Sequence, residues 1–299
     1  MYDIIVIGGG PAGLTAAIYG VRANKKVLVL ESTTCGGQII NTSHIDNYPV
    51  APHITGLEFG QTLEKQAEDL GVEIEFDTAI HVDTIDGGFK VEGEDDEYTG
   101  KSVILATGTT PRKLGIVNED RFIGRGVSYC ATCDGGFYKD KVVAVNGGGN
   151  SAVHEAIYLS GLASKVYIIH RRDEFRASAG LVDTLKSKEN VELVLNANIA
   201  DLSGDKKLEK VILDTGRELE VDGLFISIGR IPNAETLVDG LKLDESNYVD
   251  SDESCVTNIP GIFVAGDVRK KDLRQLVTAT SDGAIAATRA INFCTFENI

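Results

Sequence analysis

The 299-residue sequence has little positive charge, few cysteines and no long apolar run. Lysine and arginine number 29 against 45 aspartates and glutamates, which gives a formal net charge of −16. A chain this acidic repels nucleic acid and anionic membranes as a whole, although a local basic patch can still bind a phosphate. No apolar run reaches the roughly 18 residues that a membrane-spanning helix needs. We therefore expect a protein that binds neither nucleic acid nor membrane.

The N-terminus and the cysteines indicate a reducing compartment. The chain opens with Met1-Tyr2-Asp3 and has no basic leader or small-residue cleavage site, so we expect no signal peptide. Five cysteines, two of them in a C-x-x-C, favour redox or metal chemistry over a structural disulfide framework. These features predict a cytoplasmic location.

One sequence pattern occurs twice in the chain. The apolar runs at residues 4–7 and 142–145 each enter a glycine-rich turn that is followed by a helix-like stretch. A shift of 139 residues places Gly8 on Gly147 without a gap. Two G-x-G-x-x-G/A turns, each after a strand-like run and before a helix, are typical of two dinucleotide-binding units, whereas a single one is a weak signal.

The repeat extends beyond the glycines. The same shift places Glu31 on His170, each directly after a second apolar run. A further echo, at a shift of 121 residues, places the apolar run that ends at Gly108 on the run that ends at Gly229. Both ends of a nucleotide-binding unit are therefore duplicated.

Each copy is expected to hold a pyrophosphate at the start of its helix. The glycines allow the tight turn and the close backbone approach, and the helix N-terminus favours negative charge. In the first copy the predicted loop residues are Gly8, Gly10, Pro11, Ala12 and Gly13. In the second copy they are Gly149, Asn150, Ser151 and Ala152.

The residue that ends the second strand selects the cofactor. Glu31 can accept hydrogen bonds from ribose hydroxyls and would repel a 2′-phosphate, so the first copy suits FAD or NAD. In the second copy the corresponding site holds His170, Arg171 and Arg172, with Arg176 close by. Guanidinium groups pair with phosphate in bidentate fashion, so this copy is predicted to bind NADPH. The alternative is a solvated, charged turn.

The cysteine pair Cys130 and Cys133 lies just before the second copy and is followed by Asp134. Two intervening residues allow a small disulfide ring that opens and closes readily. A zinc site would need further ligands at similar spacing, and Cys35, Cys255 and Cys294 stand alone. Redox chemistry is therefore favoured over metal binding, and no metal site is predicted. Asp134 could carry a proton for a leaving thiolate, or could be a turn residue before the glycines that follow.

The order of these motifs resembles that of the low-molecular-weight thioredoxin reductases, of the bacterial and archaeal kind. GGGPAG, ATG before a proline, CATCDG, GGGNSA, HRRDEFR and a late Gly266-Asp267 follow one another, so the resemblance covers essentially the whole chain. It implies an α/β protein with two three-layer nucleotide-binding domains around parallel sheets. The FAD-binding domain would comprise residues 1–113 and 244–299. The NADPH-binding domain, residues 114–243, would carry the C-x-x-C.

The resemblance also implies residue roles. Cys133 would face the flavin, Cys130 would attack the disulfide of a partner protein, and Asp134 would move protons. The further FAD contacts would come from Gly36, Gly37, Gln38, Asn47, Gly108, Gly266, Asp267, Arg274, Gln275 and Leu276. Such enzymes are homodimers that take electrons from NADPH and reduce thioredoxin.

The chain departs from the family pattern at two positions, Gly136 and His154. The family often has two aromatic residues after CATCDG, and here the first of these positions is Gly136, followed by Phe137. His154 stands where the family often has an acidic residue, and we expect it to be an exposed helix residue. Relatives that use ferredoxin lack the arginine cluster, which favours NADPH here.

The predicted function is NADPH-dependent reduction of a protein disulfide, with thioredoxin or a thioredoxin-like protein as partner. Three alternatives stay open on the sequence alone. The partner could be another thiol-redox carrier, such as a peroxiredoxin-linked protein. The chain could also be a dithiol oxidase that passes electrons to oxygen. A flavin-binding module without turnover is the third, and the cysteine pair argues against it.

Overall fold

The computed structural model describes residues 1–42, 44–234 and 236–297. The chain divides into two compact units. Unit 1 comprises residues 1–110 and 231–299, and unit 2 comprises residues 111–230. Each unit is described by itself below.

The described residues form seventeen strands. In chain order they are β1 (Tyr2–Ile7), β2 (Val27–Leu30), β3 (Glu73–Glu75), β4 (Ala79–Ile85), β5 (Gly88–Gly93), β6 (Glu97–Leu105), β7 (Thr109–Pro111), β8 (Val127–Ser128), β9 (Val142–Asn146), β10 (Lys165–His170), β11 (Val191–Leu195), β12 (Ile199–Ser203), β13 (Lys210–Leu213), β14 (Glu218–Glu220), β15 (Gly223–Ile226), β16 (Arg230–Pro232) and β17 (Ile262–Val264).

Seven α-helices accompany the strands in the described part of the chain. They are α1 (Pro11–Arg22), α2 (Gly56–Asp69), α3 (Glu119–Phe122), α4 (Ala131–Asp134), α5 (Asn150–Ser160), α6 (Ala179–Lys186) and α7 (Leu276–Asn292). Of these described helices, none is long and apolar enough to cross a membrane.

Unit 1 is built on a seven-stranded mixed sheet. Its parallel part has the order β3-β2-β1-β6, and β17 also pairs with β6 in parallel. Strands β4 and β5 extend the sheet in antiparallel fashion from β6. The fully apolar β2 is buried along its whole length, as expected for a strand covered on both faces.

Unit 2 repeats this arrangement. Its parallel sheet has the order β11-β10-β9-β15-β8. The antiparallel strands β12, β13 and β14 form a separate three-stranded sheet. In unit 1, β1 lies between β2 and β6, and in unit 2, β9 lies between β10 and β15. Strands β6 and β15 are the two that lead to Gly108 and Gly229, which the shift of 121 residues relates. The predicted duplication of one nucleotide-binding unit is therefore confirmed by the topology.

Alternate residues of the first strand of each copy pack into different cores. In β1, Ile4 and Val6 face the helices α1 and α7, whereas Ile5 and Ile7 face a core that includes residues of β4 and β5. In unit 2, α5 and α6 pack on one face of the parallel sheet, and β12 to β14 pack on the other. Each unit thus has three layers, as predicted, and β-structure supplies the layer opposite the helices.

The second unit boundary lies earlier in the chain than the predicted domain boundary. The change from unit 2 to unit 1 falls at residues 230/231, whereas the sequence predicted residues 243/244. Ala234, Leu237 and Val238 pack into the unit 1 core, and the carbonyl of Leu237 accepts a hydrogen bond from the Val82 N–H at 2.8 Å. These contacts join residues 231–243 to the split unit. The first boundary, 110/111, lies close to the predicted 113/114.

Candidate active site

The first glycine loop connects β1 to α1 and leaves the helix N-terminus uncovered. Gly8 has a positive φ of 110°, and a Cβ placed on it would lie 2.4 Å from the Ala106 carbonyl oxygen. A Cβ on Gly13 would lie 1.9 Å from the Gly8 carbonyl oxygen. A Cβ on Gly10 would meet only the Gly37 Cα, at 3.8 Å. The loop therefore packs tightly against its own sheet and keeps open space before α1, as a bound pyrophosphate requires.

Glu31 lies directly after β2 and faces this loop. Its Oε2 accepts a hydrogen bond from the Gly9 N–H at 2.8 Å, and its Oε1 accepts one from the Thr33 N–H at 3.1 Å. The carboxylate is thus fixed beside the glycine turn. This is the position from which an acidic residue reaches ribose hydroxyls in such units.

The other residues predicted to contact FAD all lie in unit 1. Asn47 Nδ2 donates to Gln275 Oε1 at 3.0 Å, immediately before α7 begins. A Cβ on Gly266 would lie 2.9 Å from the Cβ of Ala12 in the first turn of α1. Segments distant in sequence therefore meet at the start of α1. The predicted residues that the structure places in this unit are Gly36, Gly37, Gln38, Asn47, Gly108, Gly266, Asp267, Arg274, Gln275 and Leu276.

Arg274 is held against the segment that carries Asp267. Its guanidinium donates to the carbonyl oxygens of Asp267 and Arg269 at 3.1 and 3.2 Å. It also lies over the Tyr248 ring, 3.9 Å from the centroid. In this arrangement Arg274 fixes the backbone next to Asp267.

A buried ion cluster beneath Gly266 was not predicted. Asp282 of α7 accepts hydrogen bonds from Arg269 at 2.8 and 2.9 Å, from the Lys271 ammonium at 2.7 Å and from the Gly266 N–H at 3.0 Å. These contacts hold the pKa of Asp282 below its usual value despite its burial. No motif marks this cluster in the sequence, because its members are ordinary charged residues that meet only in the fold.

The second glycine loop connects β9 to α5 in the same way. A Cβ on Gly147 would lie 2.3 Å from the Ser227 carbonyl oxygen, whereas one on Gly149 would meet nothing within 4 Å. Asn150 begins α5, and its Oδ1 accepts the Ser178 N–H at 2.9 Å. Ser151 is exposed and Ala152 is buried in the same helical turn. The space before α5 is therefore also open.

His170 lies against this loop at Gly148, and the three arginines are close enough for their charges to act on its ring. The imidazole is buried and stacks on Phe175 with 5.5 Å between the ring centroids. Burial lowers the pKa of His170, and the charges of Arg176, Arg172 and Arg171 lower it further. The three guanidinium-bearing residues are themselves exposed. A neutral ring thus lies against the loop, with three positive charges at its rim.

Glu155 is a second residue that sequence analysis missed. It lies in α5, where burial raises its pKa to about 7 against the opposing effects of a hydrogen bond from Ser227 and of Arg230. Its Oε2 is buried without a hydrogen-bond partner among the described residues. The repeat did contain a signal, because the shift of 139 residues places Glu155 on the buried Ala16 of α1. The neighbouring His154 is exposed, as expected.

Cys130 and Cys133 form a disulfide at the start of α4. Cys130 precedes the helix, and the Cys133 N–H donates to Cys130 Sγ at 3.2 Å. The Sγ of Cys130 also lies 3.4 Å from the hydroxyl of the exposed Thr132. Among the described residues no group of three or more His, Cys, Asp or Glu side chains could hold a metal ion.

Asp134 ends α4 and is held by a serine that sequence analysis did not single out. Its Oδ2 accepts a hydrogen bond from the Ser128 hydroxyl at 2.6 Å, and its Oδ1 is buried without a partner in the described part of the chain. Burial raises the pKa of Asp134, and the hydrogen bond from Ser128 partly opposes this rise. The carboxyl is therefore closer to exchanging protons at neutral pH than an exposed aspartate is.

Known proteins resemble the chain over nearly its whole length. The family model for pyridine nucleotide-disulphide oxidoreductases matches residues 2–283. A thioredoxin reductase of Peptoclostridium acidaminophilum is 43% identical, with 97% of this chain and 96% of that protein covered. One of Treponema pallidum (strain Nichols) is 42% identical, with 98% and 97% covered.

Solved structures agree with the curated relatives. The crystal structure of thioredoxin reductase from Streptococcus pyogenes MGAS5005 is 39% identical in sequence, covers 98% of each chain and has a TM-score of 0.93. The glycine loops, the open helix N-termini and the cysteine pair fit the FAD and NADPH chemistry of this family. The chain therefore belongs to the pyridine nucleotide-disulphide oxidoreductases and, within them, to the NADPH-dependent thioredoxin reductases that use FAD.

Proposed function

We propose that unit 1 holds FAD, that unit 2 holds NADPH, and that Cys130 and Cys133 deliver the electrons to thioredoxin. The observation that carries this proposal is the Cys130–Cys133 disulfide, with the half-buried Asp134 next to it in sequence, in the unit that also contains the three arginines. The overall reaction converts NADPH, one proton and a partner disulfide into NADP⁺ and a partner dithiol. Bound FAD would supply the two-electron carrier that links NADPH to the protein disulfide.

The residues around α1 suit FAD because they combine open backbone with one fixed carboxylate. The N–H groups at the start of α1 would face the pyrophosphate, and Glu31 would accept hydrogen bonds from the adenosine ribose. Gly36, Gly37, Gln38, Asn47 and Gly108 would line the rest of the site. So would Gly266, Asp267, Arg274, Gln275 and Leu276.

The residues around α5 suit NADPH because their charges match a 2′-phosphate. Arg171, Arg172 and Arg176 would surround that phosphate, and the buried His170 would give the adenosine end a flat neutral neighbour. Gly149, Asn150, Ser151 and Ala152 would receive the pyrophosphate.

The two cysteines would have different roles. Cys130 would be the outer nucleophile that attacks the partner disulfide, because the Cys133 N–H directed at its sulfur would stabilise a thiolate there. Cys133 would be the sulfur that faces the flavin. Asp134 would take a proton from the attacking thiol and give it to the leaving thiolate.

The experiment that tests this function is NADPH consumption with oxidised thioredoxins and glutaredoxins as separate substrates. Wild type should consume NADPH in proportion to thioredoxin disulfide, and Cys130→Ser and Cys133→Ser should abolish this turnover. Cys294→Ser is the matched control. Its thiol lies outside the redox pair, and the serine hydroxyl can keep the contact to the Asp3 carbonyl oxygen that the thiol makes at 3.2 Å. Turnover in either redox-pair variant would disprove the role of the pair.

Gly136 provides a test of the partner's identity. Gly136 is exposed beside the redox pair, where the family often has an aromatic residue. A Cβ on Gly136 would meet nothing within 4 Å, so Gly136→Phe should fold normally. If thioredoxin is the partner, this variant should lower its Michaelis constant. If another thiol-redox carrier is the partner, the variant should bring no such gain.

An oxygen-dependent dithiol oxidase is the competing function. Oxygen consumption with a small dithiol tests it directly, since the proposed reductase should consume little oxygen. The homodimer is a proposal that rests on the family resemblance, and the cytoplasmic location is a proposal that rests on the cysteine content. Sedimentation of the holoenzyme and fractionation of source cells test them.

A further inference from the structure

Ser128 connects Asp134 to the backbone of the redox pair. It ends β8, two residues before Cys130, and only 6% of its surface is exposed. Its hydroxyl lies 2.6 Å from Asp134 Oδ2 and accepts the Cys130 N–H at 3.1 Å. The Cys130 carbonyl oxygen lies farther away, at 3.4 Å. The single hydroxyl proton therefore goes to the carboxyl, which is the closer and more strongly negative acceptor.

The Asp134 carboxyl depends on this contact for its position and its proton affinity. Burial raises its pKa, and the hydrogen bond from Ser128 lowers it. Tyr138, in the turn after α4, is the titratable group whose own pKa responds to the Asp134 charge. From α5, the side chains of Tyr158 and Leu159 face Gly135 next to the carboxyl. Ser128 is the group in this environment that favours the ionised carboxyl.

We propose that Ser128 is a positioning residue of the dithiol step, which holds the Asp134 carboxyl in place for proton exchange with the cysteine pair. The inference rests on the proposed proton role of Asp134 and adds to it a residue outside the CATCDG motif. Cys130 sulfur forms a bond to one partner sulfur, and the other partner sulfur leaves with the electron pair. Cys133 sulfur then displaces the first partner sulfur and restores the enzyme disulfide. The two thiol protons of the enzyme end on the two partner sulfurs, and Asp134 carries one of them.

The direction of the effect on pH follows from the hydrogen bond. Ser128→Ala removes a donor to the ionised carboxyl, so the proton affinity of Asp134 rises further. Whether Asp134 acts as an acid or as a base, the limb of the pH profile that it controls moves to higher pH. We expect a shift of about one pH unit, because a charge-assisted hydrogen bond typically accounts for roughly a tenfold change in an equilibrium.

The test uses FAD-loaded holoenzyme and oxidised thioredoxin as the disulfide. The rate of thioredoxin reduction by pre-reduced enzyme is measured from pH 5.5 to pH 9, and the rate of flavin reduction by NADPH is measured separately. Ser128→Ala should lower the maximum of the first rate about tenfold, because the carboxyl is no longer held in place, shift the pH profile upward and leave the second rate unchanged. Ser128→Thr keeps the hydroxyl and should restore both the rate and the profile.

A matched control separates this role from a loss of stability. Ser102 is also a buried serine, and its hydroxyl donates to the Asp3 carbonyl oxygen in unit 1 at 3.1 Å. Ser102→Ala should leave the pH profile of the dithiol step unchanged even if it lowers the melting temperature. An equal pH shift in Ser102→Ala would contradict a specific role for Ser128.

Two further measurements decide whether Ser128 acts through Asp134. In an Asp134→Asn background, Ser128→Ala should cause no further slowing, because the two residues form one unit. Isotope-edited infrared titration of the Asp134 carboxyl should give a higher pKa in Ser128→Ala than in wild type. An unchanged Asp134 pKa, or full additivity of the two substitutions, would overturn the role of Ser128. If Asp134→Asn alone kept wild-type rates at every pH, the proton role of Asp134 would fail, and the functional inference would fail with it.

Discussion

The two glycine loops have the same backbone arrangement, but the residues that follow the neighbouring second strand have opposite charges in the two units. In each loop the first glycine lies against a carbonyl oxygen of the neighbouring strand end, where a Cβ would come within 2.4 Å of Ala106 or 2.3 Å of Ser227. Ala106 and Ser227 are themselves related by the sequence shift of 121 residues. At the end of the second strand, however, unit 1 has Glu31 and unit 2 has His170 with its arginines. If unit 1 holds FAD and unit 2 holds NADPH, as proposed, one local charge difference gives the same loop structure two cofactor preferences.

The last residue of the G-x-G-x-x-G/A motif differs between the two units for a steric reason. A Cβ on Gly13 would lie 1.9 Å from the Gly8 carbonyl oxygen, so the first helix packs too closely on its loop for any side chain. Ala152 occupies the corresponding position in unit 2 and is fully buried. Helix α5 therefore leaves room for one methyl group at this position.

Gly13→Ala should have the largest effect among substitutions that test this comparison. The added methyl group meets backbone, which cannot move aside cheaply, so we expect a loss of about 3 kcal/mol or more in unit 1 stability. The purified variant should also retain little FAD, which flavin absorbance measures. The reverse change in unit 2, Ala152→Gly, should cost only about 1 kcal/mol. Similar losses in both variants would contradict the difference in packing.

Removal of the arginines should have the next largest effect. Arg171→Ala with Arg172→Ala should raise the Michaelis constant for NADPH by about a hundredfold, because two charge-assisted contacts of roughly 1.5 kcal/mol each are lost. The constant for NADH should change little. Arg217→Ala is the control, since Arg217 pairs with Glu192 elsewhere in unit 2. A wild type that used NADH and NADPH equally well would refute the assignment of unit 2.

Glu31→Gln should weaken FAD binding in unit 1 by a smaller factor. The amide keeps the shape of the side chain but loses the charged acceptor for the Gly9 N–H and the ribose, so we expect the dissociation constant of FAD to rise about tenfold. Flavin fluorescence on titration of apoprotein measures it. Glu97→Gln, an exposed residue paired with Lys90, should leave the constant unchanged. No change in Glu31→Gln would argue against FAD in unit 1.

Substitution of Glu155 should give the smallest effect, a change in how the stability of unit 2 depends on pH. Unit 1 has no such dependence at the corresponding position, which is Ala16. The folded-state pKa of Glu155, about 7, is above its ordinary 4.5, so the neutral carboxyl stabilises unit 2 below about pH 4.5 and this stability is lost as the pH rises through 7. Glu155→Gln should remove this slope, which partial solvent access limits to about 1 kcal/mol. Hydrogen exchange of unit 2 amides at pH 5 and pH 8 measures it, with the exposed Glu209→Gln as control. If the stability of unit 2 changed with pH to the same extent in wild type and in Glu155→Gln, this explanation would be ruled out.

The parts of the fold that sequence predicted are those with local signals. The predicted apolar run before Glu31 is the strand β2 (Val27–Leu30), and the predicted run at residues 142–145 extends by one residue to Asn146. The segment around Leu237 was predicted to belong to the NADPH-binding domain but lies in unit 1, because contacts with distant strands rather than a local sequence pattern hold it there.

The candidate site divides in the same way. The glycine loops and the cysteine pair were visible because their chemistry requires fixed spacings. The hydrogen bond from Ser128 to Asp134 and the cluster around Asp282 were not visible, because they join common polar residues whose proximity depends on the folded chain. Only the position of Glu155 could have been recognised earlier, from its alignment with the buried Ala16.

Anaerobic stopped-flow measurement of the holoenzyme tests most directly whether electrons from NADPH leave the protein only through Cys130 and Cys133. NADPH should bleach the bound flavin at similar rates in wild type and in Cys133→Ser. Oxidised thioredoxin added afterwards should be reduced by wild type and not by Cys133→Ser. Reduction of thioredoxin by Cys133→Ser, or a wild-type flavin that NADPH does not bleach, would contradict this route.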